Sequence, residues 1–121
     1  MSYVALATDR FDEVVRFYGE TLGFPAIRGW DRPNGRGQVF HLNGLRIEIL
    51  DATREPVAMR LEPPGNRVYV VIEVADVHAI RAGLPADAPE PEDTSWGTRV
   101  LKLKAPDGVP VWFLQWLRPQ G

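Results

Sequence analysis

The chain says nearly the same thing twice, and this duplication constrains its fold more than any other feature. Thr8-Asp9-Arg10-Phe11-Asp12 follows a short apolar run and opens a helical pattern; Ala75-Asp76-Val77-His78 does the same after a second run. Asn43-Gly44-Leu45-Arg46-Ile47-Glu48-Ile49-Leu50 closes the first half, and Asp107-Gly108-Val109-Pro110-Val111-Trp112-Phe113-Leu114 closes the second. The offset is 66 residues at the start, from Val4 to Val70 and Leu6 to Ile72, and 64 at the end, from Gly44 to Gly108. Such a repeat means one supersecondary unit used twice. A unit of about 60 residues buries too little surface to be secure alone. The two are therefore expected to pack as one domain over residues 1–121, with units at 1–50 and 67–117 and a linker at 51–66.

Each unit reads as strand, helix and three strands. Tyr3 to Thr8 predicts a strand, and Asp9 is placed to cap the helix after it. Phe11, Val14, Val15, Tyr18 and Leu22 form one apolar stripe at helical spacing, which Gly23 ends. Pro25 to Trp30 predicts the next strand, residues 31–37 a turn-rich loop, and Gln38 to Leu42 and Leu45 to Leu50 a hairpin around Asn43-Gly44. In the second half Arg67 to Val74 alternates as a strand, and Asp76 to Leu84 is a shorter helix. The proline-rich stretch Pro85 to Asp93 can carry only an edge strand. Gly97 to Leu103 and Val109 to Trp116 complete the set across the turn Ala105-Pro106-Asp107-Gly108.

Bulk properties remove several function classes. A net charge of −2 with 14 scattered Lys and Arg leaves no basic footprint for nucleic acid. No cysteine is present, so disulfides, thiolate metal sites and cysteine nucleophiles are excluded. The start Met1-Ser2-Tyr3-Val4-Ala5-Leu6 has no basic, signal-like character, and no run of 18 apolar residues occurs. The expectation is a cytoplasmic protein without a membrane partner.

The order and content of these segments resemble the vicinal oxygen chelate superfamily, which includes glyoxalase I, bleomycin-resistance proteins and extradiol dioxygenases. Phe11-Asp12 followed by Phe17-Tyr18-Gly19-Glu20-Thr21-Leu22-Gly23-Phe24 is similar to the family's first helix and its exit. Trp96-Gly97-Thr98-Arg99 and then Ala105-Pro106-Asp107-Gly108 resemble its closing segments. The resemblance covers residues 3–117 and implies an α+β fold. Two tandem βαβββ units would form an eight-stranded, partly open cupped sheet with a helix from each unit outside.

Members with a metal place its ligands on the first and last strands of each unit, facing a concave cavity. By resemblance those positions are Tyr3 and Glu48 in the first unit and Tyr69 and Trp112 in the second. A catalytic divalent ion wants three or four nitrogen or carboxylate donors, and only Glu48 qualifies. No metal and no cofactor are therefore expected. His41 and His78 lie off these positions; His41 is a candidate ligand contact, and a set using it with Glu48 is the remaining metal alternative. Tyr3, Tyr69 and Trp112, with Trp30 and Trp96, would instead wall a cavity for a planar or amphipathic organic ligand. The expected function is sequestration of such a compound by a homodimer. The competing expectation is a lyase or isomerase in which Glu48 moves a proton and Tyr3 or Tyr69 polarises the substrate. The bland reading of Glu48 is an ion pair with Arg46, Arg99 or another basic side chain across the sheet.

Overall fold

In the computed structural model, residues 2–54, 60–65 and 67–118 are described. The chain divides into two compact units, Met1–Pro63 and Pro64–Gly121. The first runs β1 (Val4–Thr8), α1 (Phe11–Arg16), β2 (Ala26–Arg32), β3 (Gly35–Leu42) and β4 (Leu45–Asp51). The second runs β5 (Val70–Glu73), α2 (Val77–Ala82), β6 (Glu92–Asp93), β7 (Thr98–Lys104) and β8 (Pro110–Trp116). The eight strands form two four-stranded mixed sheets, ordered β1-β4-β3-β2 and β5-β8-β7-β6. In both, the first and last strands pair in parallel and the other pairings are antiparallel. The sequence repeat is thus a repeat of topology.

The apolar stripe builds the first core. Phe11, Val14 and Tyr18 are buried against Phe40, Leu42, Ile47 and Ile49, all on one face of the sheet. After Arg16 the helix widens into a π-helical turn, Phe17–Thr21, in which the Leu22 N–H donates to the Phe17 carbonyl at 2.9 Å. Gly23, at φ +75°, stops it, and the Phe24 N–H returns to the Tyr18 carbonyl at 3.0 Å. In the second unit Val77 of the short α2 joins Val70, Ile72, Leu101, Val111 and Phe113 in the buried set.

Several sequence expectations shift. Asp9 does not cap α1: Arg10 occupies the N-cap without a side-chain bond, and the Thr8 hydroxyl accepts the Arg10 N–H at 3.0 Å. At the 66-residue offset Asp76 corresponds to Arg10, and Asp76 does cap α2, accepting the His78 N–H at 2.9 Å. The predicted loop at 31–37 is mostly strand, because β2 and β3 pair through Arg32↔Gly35 and leave a two-residue turn. β4 reaches Asp51, one residue into the expected linker, whose residues 55–59 and 66 lie outside the described ones. β5 is shorter than expected, beginning at Val70. Asn43-Gly44 forms the hairpin as read, with φ of 48° and 101°. β6 is the anticipated edge strand.

Candidate functional site

Alternation along a strand gives each sheet two faces, and in each unit the helix covers one of them. The opposite face mixes buried side chains, such as Val39 and Val100, with side chains that core packing does not claim. In the first unit that face carries Ala5 on β1, Glu48 on β4, Val39 and His41 on β3, and Trp30 on β2, by the pairings Ala5↔Glu48, Val39↔Glu48 and Trp30↔Gly37. Tyr3, just ahead of β1, is exposed.

Glu48 is the unusual member. It is only 7% exposed, between Ala5 and Val39 on neighbouring strands. Its carboxylate makes no hydrogen bond or ion pair with any described residue, and its oxygens keep some contact with solvent. The expected partners are absent: Arg46 is exposed, and Arg99 donates to Asp93. Buried carboxylates are normally paired, so Glu48 is not a structural link within the described residues.

The other first-unit candidates are engaged structurally. The Nε2 atom of His41 accepts the Gly44 N–H at 3.2 Å across the hairpin turn. The Trp30 indole lies over Gly37, where an added Cβ would overlap the ring. A groove of about 690 Å³ runs between α1 and β2–β3, with Phe11, Asp12, Trp30, Arg36 and Gln38 in its wall. Apart from Trp30 it contains none of the expected site residues. Its central cation, Arg36, is 2.6 Å from Asp12 and 4.4 Å above the Phe11 ring.

In the second unit the open face is aromatic. Tyr69 and Trp112 meet edge to face with centroids 5.0 Å apart, so these two candidates do come together. Tyr69 remains 42% exposed, as does neighbouring Val71 at 44%. Further along, Trp96 and Trp116 form a second edge-to-face pair at 5.7 Å, and the Trp116 Nε1–H donates to Glu73 at 3.1 Å. Sequence reasoning missed Lys102. It is the cross-strand partner of Trp112, with Nζ 4.8 Å from the centre of the indole and 3.2 Å from Glu92. The available signal was strand parity, since Lys102 lies two residues from Val100 on the Trp112 side.

On the helix side of this sheet, the Arg99 guanidinium hydrogen-bonds Asp93 and holds its carboxyl below the usual aspartate pKa, while Asp93 raises that of Arg99. A depressed carboxyl pKa contributes stability above the unfolded value of about 3.9 and loses it as pH falls through the folded value. Asp93→Asn is expected to lower the melting temperature slightly at pH 7 and by less at pH 3. Equal effects at the two pH values would exclude the ion pair as the cause.

The donors at the four repeat-equivalent positions are two phenols, one carboxylate and an indole, which do not fit a catalytic divalent ion. Among the described residues no three His, Cys, Asp or Glu side chains form a group able to hold one. No helix among them is long and apolar enough to cross a membrane.

Comparison with known proteins places this geometry in context. No curated protein matches the sequence. Solved structures of similar fold include a glyoxalase family protein from Enterococcus faecalis, with TM-score 0.70, 21% identity, and 95% of this chain and 96% of that one covered. A putative glyoxalase family protein from Bacillus anthracis aligns with TM-score 0.72 and 19% identity over 96% and 93% of the two chains. TnmS3, an antibiotic binding protein from Streptomyces sp. CB03234, aligns with TM-score 0.66 and 24% identity over 96% and 97%. The model of one family matches residues 1–113, nearly the whole chain, and the tandem βαβββ topology agrees with it. The chain belongs to the Glyoxalase/Bleomycin resistance protein/Dioxygenase superfamily.

Proposed function

We propose that this protein is a metal-independent, cytoplasmic homodimer that sequesters an aromatic or amphipathic small molecule. The observation that carries this reading is the half-exposed Tyr69–Trp112 pair on the open face of the second sheet. Exposed rings already fixed by an edge-to-face contact lose little freedom when a planar ligand stacks on them. TnmS3 is an antibiotic binding protein, which supports small-molecule binding as a use of this fold. The donor set at the family's metal positions supports metal independence, and stability unchanged by chelator would agree with it.

A thermal-shift screen of aromatic compounds, followed by calorimetry, tests the proposal. A ligand should bind and be recovered unaltered. Trp112→Ala should weaken it about 10- to 100-fold, as truncation of a central aromatic contact does. Glu48, buried and without a partner among the described residues, favours one second reading, a lyase or isomerase with this carboxylate as general base. Turnover of the bound compound that disappears in Glu48→Gln would replace sequestration with catalysis.

A further inference from the structure

The geometry points to an anionic aromatic compound, a ring bearing a carboxylate or similar group, as the ligand class, with Lys102 as the residue that selects its charge. This inference rests on the binding reading above and adds the chemistry of the ligand's polar end. Across the open face of the second sheet the side chains form a graded row. Tyr69 and Val71 lie at the β5 edge, Trp112 is central on β8, Lys102 is its direct neighbour on β7, and Glu92 stands at the β6 edge. A ring packed on Tyr69 beside Trp112 would therefore direct a substituent toward the Lys102 ammonium, which lies over the Trp112 ring 4.8 Å from its centre.

Glu92 occupies the place of that substituent in the protein alone. Its carboxylate is 3.2 Å from Lys102 Nζ, and the two side chains are 61% and 46% exposed. Exposed ion pairs of this kind are weak and readily exchanged. Glu92 also sits on a strand of only two residues that begins directly after Pro91, with no described strand beyond it. A ligand carboxylate can take over the Lys102 contact while Glu92 turns to solvent, so the pair is a stand-in for ligand rather than a brace for the sheet.

Titration calorimetry with three probes of one ring system, 2-naphthoate, 2-naphthol and 2-naphthylmethylammonium, tests this at pH 7.5 and low salt. Naphthoate should bind roughly tenfold tighter than the neutral probe, the scale of one charge-assisted contact, and the ammonium should bind most weakly. Lys102→Gln should bring naphthoate down to the naphthol level, and Lys102→Arg should restore it. Glu92→Gln should tighten naphthoate about two- to fivefold by removing the internal competitor, with naphthol unaffected. Naphthoate binding unchanged in Lys102→Gln, weakened in Glu92→Gln, or inferior to the ammonium overturns the inference. Equal binding of all three probes that is lost in Trp112→Ala overturns charge selection alone and leaves aromatic binding standing. Absence of binding by every probe overturns both.

Discussion

Phe40→Ala is expected to destabilise the protein by about 3–5 kcal/mol, the usual cost of emptying a buried phenylalanine site. Phe40 is 2% exposed on β3, between the two antiparallel partners β2 and β4. Its ring lies 6.0 Å from that of Tyr18, and the π-helical turn crosses it so closely that a Cβ on Gly19 would stand 3.2 Å from Phe40 Cε1. The backbone at Gly19 cannot simply settle into the vacated space, because it is held by the helix on one side and the Gly23 stop on the other. The cavity term therefore adds to the transfer term. Against a total stability of about 5–15 kcal/mol for a domain of ordinary size, this is a large fraction. The melting temperature should fall by roughly 10–25 °C. Val4→Ala, at an exposed position on β1, is the control and should change it little. A loss below about 1 kcal/mol for Phe40→Ala would show that the helix–sheet contact of the first unit is not where its stability resides.

The features legible in the sequence were those written locally. Asn43-Gly44 specifies its turn because both residues take positive φ, and the Phe11 to Leu22 stripe specifies a helix because its spacing is helical. The misread segment, residues 31–37, depends on information held elsewhere in the chain. Gly35 and Gly37 suggest a loop by themselves, yet Gly37 is a strand residue whose missing side chain makes room for the Trp30 ring across the ladder. The site divides in the same way. The repeat located Tyr69 and Trp112, and they touch; it located Glu48, and it is buried. Alternation alone could not separate Lys102 from an ordinary solvated strand residue, because its meaning comes from Trp112 on the neighbouring strand. Nor could it show that Glu48 lacks a partner when 14 Lys and Arg are available.

That missing partner leads to the second effect: Glu48→Met is expected to raise stability by about 1 kcal/mol, because the side chain is 7% exposed while its oxygens still reach solvent. Methionine keeps much of the length of glutamate and replaces the carboxylate with a group suited to its neighbours Ala5 and Val39. Glu48→Gln should gain less, since an amide in the same place still wants partners. Chemical denaturation at neutral pH measures both, with the order Met above Gln above the parent chain. A Met variant less stable than the parent by about 1 kcal/mol or more would mean that Glu48 has a structural partner in solution, and the bland reading would return. If the order holds, the carboxylate lowers stability in the protein alone. Natural chains retain such groups where function uses them, so on the catalytic reading the same two variants should lose turnover while they gain stability. Opposite signs in the two assays separate a working residue from a packing accident, which would gain stability and leave turnover untouched.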